Sequence, residues 1–418
     1  MSILAIIVFV ILVGMALVQA LLAAVFVRLF YRNPLSVADE RLPKASILLS
    51  LRGADPHLAQ GLRRLMEQNY PDYELRIVVD HEGDASWQVV HDAIAVTGFR
   101  NAHVSPLRAR SETCSLKCAA LVQLARELDE STEVVVLADA DLVSHADWLR
   151  ELIAPLTEEG IGATFGNRWF WPRNAYWGSL VRYLWNAAAV PPMYLFSIPW
   201  GGTFAMRWKT LRDAGLLKKW SRAVVEDAPV RSALAQQGLR LRFVPQLMMV
   251  NREDCDLRFS LDFIKRQLTW TRIYHPRWAP VVVHAIFTTL ILLAPVALVP
   301  IGLMTGAPHV SLWAGSGLAA YVLILIPLLE MMERGVCHVV RRRGEEVHYF
   351  PFLVRLKALI AIPLTQCVHL TATLLAIFRR HVAWRGVTYH VRGPWDVRMV
   401  GYQPFEQPTE SMDSNTSL

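Results

Sequence analysis

The 418-residue chain is poor in cysteine, and the five it has, at positions 114, 118, 255, 337 and 367, are scattered and odd in number. That excludes a disulfide framework. Cys114-x-x-x-Cys118 has no second pair of ligands at zinc-site spacing, which leaves it a structural pair. No basic segment precedes the first apolar run, residues 3–30, which carries no charge until Arg28. A cleaved signal peptide needs that basic segment and a shorter apolar core, so the run is read as a transmembrane helix, which takes about 20 residues. No internal repeat is visible. Charged residues are 19% of the chain against 53% hydrophobic, with a mean hydropathy of +0.29. This is too apolar for an ordinary soluble enzyme, and further apolar stretches lie at 281–304, 310–332 and 350–378.

The basic excess, a formal charge of +7, does not read as nucleic-acid binding. It gathers beside the apolar runs, at Arg28, Arg32, Arg41 and Lys44 after the first, and at Arg334 and Arg341 to Arg343 after the third. Juxtamembrane Lys and Arg mark the cytoplasmic face and attract anionic lipid headgroups. Both clusters place residues 31–278 in the cytosol of a multi-pass membrane protein.

Between the membrane segments, residues 45–278 read as an α/β domain. Residues 45–51 have a buried-strand pattern. Asp55-Pro56 reads as an N-cap with proline in the first turn, and Leu58, Leu62 and Leu65 follow with helical period. Residues 75–79 form a second apolar strand ending in Asp80. A helix around 115–128 leads to the run 134–138, which ends in Asp139-Ala140-Asp141. Strands alternating with helices of this length predict a mostly parallel sheet with helices on both faces. The remaining divisions are a basic linker at 31–44, a transmembrane hairpin at 279–332 and a basic cytosolic loop at 333–349. Residues 350–378, with Pro351, Pro363, Arg355 and Lys357, fit one span, a re-entrant hairpin or an interfacial helix. Residues 379–418 read as a basic segment followed by a disordered tail, and charge favours the cytosolic side for it.

A strand that ends in two carboxylates one residue apart delivers both to the rim of a sheet. Rims at strand carboxyl ends are where open α/β sheets bind nucleotides. Hard oxygen ligands there suit Mn²⁺ or Mg²⁺ held together with substrate phosphates. An acidic strand-to-loop turn is the plain alternative. Asp80, Asp139/Asp141 and Glu226-Asp227 recur in this way, and beyond them lies the segment Arg266-Gln267-Leu268-Thr269-Trp270.

In combination these segments resemble family 2-type glycosyltransferases of the GT-A, Rossmann-like fold, most closely the ceramide glucosyltransferases and their bacterial relatives. The resemblance is carried by Leu49-Ser50-Leu51-Arg52-Gly53-Ala54-Asp55-Pro56, by Gln68-Asn69-Tyr70-Pro71-Asp72-Tyr73-Glu74, by Gly201-Gly202-Thr203-Phe204-Ala205-Met206-Arg207, and by Trp384-Arg385-Gly386-Val387-Thr388-Tyr389. It covers residues 45–278 and the membrane segments on either side.

The resemblance implies a UDP-sugar donor, a lipid acceptor in the bilayer, a divalent Mn²⁺ or Mg²⁺ cofactor and transfer of a hexose, glucose in that family. It assigns Asp80 to the uridine, Asp139 and Lys117 to the nucleotide-sugar, Asp141 to the metal and Asp227 to the catalytic base. Arg266 and Trp270 fall in the motif near acceptor and diphosphate. On the residues alone, Lys117 reads as a solvated helix residue, Asp227 as a helix N-cap, and Trp270 as a membrane-interface residue like Trp200, Trp208, Trp220 and Trp278. The apolar stretch 181–204 reads either as buried core or as an interfacial platform for a lipid acceptor. Thr269 stands where the family has Arg, so the missing charge must come from elsewhere, with Arg266 or Arg272 the sequence candidates. Two alternatives stand beside this reading: a processive polysaccharide synthase, against which the few spans and Thr269 both count, and a catalytically degenerate membrane scaffold, which Thr269 motivates.

Overall fold

A computed structural model describes residues 1–347 and 349–405. In chain order the elements are α1 (Ser2–Val27), β1 (Ala45–Leu51), α2 (Leu58–Met66), β2 (Tyr73–Val79), α3 (Ala85–Thr97), β3 (Ala102–Pro106), α4 (Leu116–Arg126), β4 (Val134–Ala138), α5 (Trp148–Ile153), β5 (Ile161–Phe170) and α6 (Trp177–Leu195). There follow β6 (Thr203–Arg207), α7 (Trp208–Asp213), α8 (Leu216–Trp220), α9 (Val230–Ala235), β7 (Arg240–Asn251), α10 (Leu257–Tyr274), α11 (Trp278–Met304), α12 (Pro308–Arg342), α13 (Phe352–Phe378), β8 (His381–Trp384), β9 (Val387–Gly393) and β10 (Asp396–Tyr402). They form two compact units, one of residues 33–168, 196–253 and 379 onward, the other of 1–32, 169–195 and 254–378.

The first unit is built on a seven-stranded sheet in the order β3-β2-β1-β4-β6-β5-β7. Strands β1 to β4 run parallel, and β6 runs antiparallel to both β4 and β5. The mixed, mostly parallel sheet is of the GT-A type. Its strands are apolar without alternation because helices cover both faces. Ile47, Leu49, Leu75, Ile77, Val134 and Val136 pack with Leu58, Leu62 and Leu65 of α2 and with Trp148, Leu149 and Leu152 of α5. Burying each such leucine or isoleucine contributes about 1.5–3 kcal/mol. The α2 stripe at i, i+4 and i+7 folds as its period predicts. Its first residue is Leu58, however, and His57, not Asp55, stands at the N-cap. Asp55 is held by an ion pair described below.

The basic segment after residue 378 does not stay irregular. Strands β8, β9 and β10 form a three-stranded antiparallel sheet. Val387, Tyr389 and Val391 alternate inward along β9, a period-2 pattern visible in the sequence. The Leu116 backbone N–H at the start of α4 donates to the Tyr389 hydroxyl at 3.0 Å, and the Met399 N–H donates to the Glu112 carbonyl at 2.9 Å. These bonds tie the C-terminal sheet to the larger one. The expected disordered tail from about residue 404 falls largely on 406–418, outside the described residues.

The second unit is helical. Among the described residues four stretches are long and apolar enough to cross a membrane: Ser2–Tyr31, Trp278–Met304, Pro308–Arg342 and Phe352–Phe378. Small residues allow close approach, as between membrane helices. A Cβ on Gly317 would meet Phe9 Cα at 3.0 Å, and one on Gly335 would press on the Phe30 ring. Residues 352–378 form one continuous helix rather than a re-entrant hairpin. Pro351 precedes its first turn, and Pro363 is tolerated inside it as prolines are where neighbouring helices re-satisfy the backbone. The 181–204 stretch is helical only to Leu195. Val181, Arg182, Tyr183 and Leu184 are buried in it, as the core reading has it, while Leu195 is exposed.

Candidate active site

Parallel strands bring their carboxyl ends to one rim, and the sheet order sets which residues meet there. Strand β1 ends at Arg52, its neighbour β2 at Asp80, and β4 at Asp139. Because β6 is antiparallel, its first residues, Gly201-Gly202-Thr203, return to the same rim, with Thr203 paired to Ala138. Strand β5 reverses direction once more and delivers Arg168 there.

Four of the seven residues singled out in the sequence are joined by one network. Lys117 Nζ lies 2.6 Å from Asp139 Oδ1 and 2.6 Å from Glu226 Oε1. Arg168 Nη2 lies 3.4 Å from Asp139 Oδ2 and 3.1 Å from Asp141 Oδ1. The Trp200 indole N–H donates to Asp139 Oδ2 at 3.2 Å, and the Arg168 guanidinium rests over the Trp200 ring at 4.4 Å. The Gly201 N–H donates to Asp227 Oδ2 at 2.8 Å. Asp141, Arg168, Asp139, Lys117, Glu226 and Asp227 therefore follow one another along a single rim.

Two glycines make this density possible. A Cβ on Gly202 would collide with Asp139 Oδ2 and the Trp200 ring, and one on Gly201 with Glu226 Oε1. Asp227 does not cap a helix. Helix α9 begins at Val230 with Pro229 before it, and the Asp227 carboxylate faces the Gly201 backbone instead. Burial pushes the Asp227 pKa up to about 7, the adjacent Glu226 adds to the rise, and Lys117 opposes it. Asp141 is also raised, by burial first, with Asp139 and Asp55 adding and Arg168 opposing. Burial works against the charge on Asp139, yet Lys117 and Arg168 hold its pKa below the ordinary value. Burial likewise works against the Lys117 ammonium, and Asp139 and Glu226 overcome it, raising its pKa.

Lys117 is thus no solvated helix residue: its side chain is 18% exposed and bridges two acids. Nor do three of the tryptophans sit as membrane-belt residues. Trp200 serves Asp139, Trp208 is buried, and buried Trp220 donates its indole N–H to the Glu226 carbonyl at 2.9 Å.

Asp80 occupies a second part of the rim, 5% exposed. Arg52 pairs with its Oδ2, and the Tyr402 hydroxyl donates to the same oxygen at 2.8 Å. Arg52 also donates to the carbonyls of Arg385 and Gln403. Arg385 returns a pair of bonds to Asp55, at 2.5 and 2.8 Å. The Trp-Arg-Gly-x-x-Tyr segment is therefore part of the wall of this rim.

Asp80, His81 and Asp84 offer ligand atoms all within 4.8 Å of one another, a cluster that could hold a metal ion. Its carboxylates already have other work. Asp84 caps α3 through Ser86 N–H at 2.9 Å and accepts the Gly53 N–H at 2.9 Å, while Asp80 holds Arg52 and Tyr402. Asp141, with one oxygen toward Arg168, offers a further hard-oxygen donor on the same rim, of the kind that suits Mn²⁺ or Mg²⁺.

Arg266 and Trp270 lie on α10, in the helical unit, apart in the fold's division from the unit that carries the acids. The Arg266 guanidinium lies 5.8 Å from the Phe263 ring centroid. Thr269 is fully buried and bonds back to the Lys265 carbonyl at 2.7 Å, so a threonine fits where an arginine would not. Arg272 donates to the Ile377 carbonyl at 2.9 Å. The cations found on the carboxylates are Lys117 and Arg168. Neither Arg168 nor Tyr402 carries a signal in the sequence: Arg168 lies inside β5, with Trp169 and Phe170 continuing the strand beyond it.

Among solved structures the chain is similar to a mannosyltransferase from Pyrobaculum calidifontis, solved in complex with GDP-Man and Mn²⁺, at 15% identity over 90% of this chain and 99% of that one, with a TM-score of 0.49. It is also similar to glucosyl-3-phosphoglycerate synthase from Mycobacterium tuberculosis, solved with Mn²⁺ and UDP-glucose, at 16% identity over 57% of this chain and 84% of that one, with a TM-score of 0.37. The family model for glycosyl transferase family 21 matches residues 7–395, nearly the whole chain. The chain belongs to glycosyl transferase family 21, and it is a glycosyltransferase with a GT-A-type sheet.

Proposed function

We propose that this glycosyltransferase moves a hexose, glucose by family resemblance, from a UDP-sugar to the hydroxyl of a ceramide-like lipid in the bilayer, with inversion at the anomeric carbon. One observation carries the reading: a carboxylate with its pKa pushed up to about 7, Asp227, stands on the same rim as the Asp139/Asp141 pair and its cations, Lys117 and Arg168. In the transfer the acceptor oxygen bonds to the anomeric carbon as the bond from that carbon to the phosphate oxygen breaks. The acceptor proton passes to Asp227, and the electron pair leaves on UDP. A base whose pKa lies near operating pH serves such a step best. A single base and a single displacement give inversion.

Lys117 and Arg168 supply fixed positive charge where the diphosphate develops negative charge. Asp141, with Asp139 behind it, would hold Mn²⁺ or Mg²⁺, and a divalent ion there adds further neutralisation of the leaving group. Asp80 has a carboxylate oxygen, Oδ1, that accepts no hydrogen bond among the described residues and could accept one from a base that offers a ring N–H, as uracil does. Arg266 and Trp270 on α10 are assigned to the acceptor side. The presence of Arg168 beside Asp139 and Asp141 supports an active enzyme over a degenerate scaffold.

The helical unit, whose α1, α11 and α12 expose Leu17, Leu21, Val283, Leu290 and Leu323, supports a lipid acceptor. Lys and Arg beside the apolar helices support a cytoplasmic catalytic unit. Residues 379–405 share that unit with residues 33–168, which supports the reading that the chain from α11 to α13 crosses the membrane an even number of times. Helices α11 and α12, joined by Thr305-Gly306-Ala307, make one such pair. Helix α13, with Arg355 and Lys357 in its first turns, then lies along the interface. Accessibility tags at residues 345 and 403 are expected on the same side, and tags on opposite sides would refute this arrangement.

The function is tested with detergent-solubilised protein, a panel of UDP-sugars and extracted lipids. A monoglycosylated lipid that depends on Mn²⁺ or Mg²⁺ and disappears in Asp141→Asn and Asp227→Asn is expected. A polymeric product would favour a polysaccharide synthase, and full turnover in either variant would refute the assigned roles.

A further inference from the structure

Resting on the reading of the rim as a nucleotide-sugar site, the geometry points to Tyr402, at the end of the C-terminal sheet, as the stacking platform for the donor's nucleobase, with Arg110 as the group that holds the base's place when no donor is bound.

Three observations meet at this point. First, Asp80 Oδ1 is buried and has no hydrogen-bond partner among the described residues, while Oδ2 of the same carboxylate is taken by Arg52 and Tyr402. An unpaired buried carboxylate oxygen is costly unless something occupies it during function. Second, the Arg110 guanidinium lies over the Tyr402 ring, 3.7 Å from its centroid, with Nε 3.8 Å from that same Oδ1. A flat group lying on an aromatic face and turning a ring-plane N–H toward Oδ1 describes a bound uracil as well as it describes this guanidinium. Third, Arg110 is free to leave, its side chain being 45% exposed, whereas Tyr402 is fixed. The ring is held by its own bond to Asp80, by the Arg52 guanidinium at 4.7 Å, and by the bonds that Arg52 makes to the Gln403 and Arg385 carbonyls.

Segments far apart in the chain thus build one subsite. Asp80 selects a base that presents an N–H donor, Tyr402 carries its face, and Arg110 swings out toward solvent on binding. Cytosine, whose ring N3 is an acceptor, would set a lone pair against the Asp80 carboxylate, so CDP is expected to bind more weakly than UDP, and equal binding of the two would overturn this role of Asp80. Burial and the Asp80 carboxylate keep the Tyr402 hydroxyl protonated, so it remains a donor to Oδ2.

The test is a calorimetric titration of the full-length protein in detergent with UDP and with CDP, Mn²⁺ present, for wild type, Tyr402→Phe, Tyr402→Ala and Arg110→Ala. Stacking on an aromatic side chain is lost on replacement by alanine, so Tyr402→Ala is expected to weaken UDP binding roughly tenfold or more. Tyr402→Phe, which keeps the ring, stays within about threefold of wild type. Arg110→Ala binds UDP at least as tightly as wild type. The same Tyr402→Ala loss should appear in the donor KM with kcat little changed, a split that a general loss of fold would not produce. Equal or tighter UDP binding by Tyr402→Ala would overturn the platform and make the ring an obstruction. Weakening by Arg110→Ala as severe as that of Tyr402→Ala would overturn the placeholder role. If wild type itself binds no UDP, the donor reading falls first and the platform with it, an outcome distinct from binding that ignores Tyr402.

Discussion

Replacing Asp227 with asparagine should disarm the enzyme and stabilise it at the same time. The carboxyl is pushed from its ordinary 3.8 up to about 7, by burial first and by Glu226 second. Its folded pKa lies above its unfolded one. The folded state is therefore at no disadvantage below about pH 4, loses stability as pH rises, and carries the full penalty above about pH 7. Three pKa units correspond to about 4 kcal/mol at most. Water reaching the partly exposed carboxylate screens that figure to about 1–2 kcal/mol.

Asparagine carries no charge and keeps a carbonyl oxygen for the Gly201 N–H, so the penalty goes and the contact stays. At pH 8 the variant should unfold about 2–4 °C higher per kcal/mol regained, and at pH 4.5 the two proteins should nearly coincide. Turnover should fall by about 10²–10⁴-fold, the usual worth of a general base. Wild-type turnover should rise with pH to a plateau, with its midpoint near 7. Thermal unfolding across pH 4.5–8.5 and a radiolabelled transfer assay read out both halves. A variant that melts lower than wild type at pH 8, or that keeps its turnover, would refute the reasoning.

Other outcomes follow from the same rim. Lys117→Met leaves Asp139 and Glu226 buried without their shared cation, which should cost about 3–5 kcal/mol, measured by denaturant unfolding. Arg168→Ala removes the charge that offsets Asp141. Mn²⁺ should then bind the nucleotide-free protein more tightly, by paramagnetic resonance titration, while turnover drops with the loss of a diphosphate contact. Gly202→Ala forces a methyl into Asp139 Oδ2, so donor binding should weaken and overpacking should cost about 1–3 kcal/mol in the thermal midpoint.

Much of the architecture could be read from residue order. Unbroken apolar runs such as 45–51, 75–79 and 134–138 are what buried parallel strands require, and the acids after them had to fall at one rim because parallel strands share a direction. The apolar helices could be read for a related reason, since a bilayer demands length and hydrophobicity within one continuous stretch. The two-residue offset at α2 was not legible. Asp55-Pro56 is a sound local start signal, but the pair of bonds from Arg385 takes the Asp55 carboxylate away from capping.

What the sequence determined alone was therefore local or periodic: the strands, the spans, the acids at strand ends, and through its motifs the family. What only the tertiary structure decided was which charges meet. Lys117 looked like one more solvated lysine on α4 until Asp139 and Glu226 closed around it, 22 and 109 positions away in the chain. Arg168 reaches the Asp pair because β6 reverses direction between β4 and β5, a fact of sheet order that no single segment carries. Tyr402 meets Asp80 across more than three hundred residues because the C-terminal sheet docks on the larger one. Hydrophobic period is written into neighbours along the chain, whereas charge pairing is decided by the packing that brings distant strands to one edge.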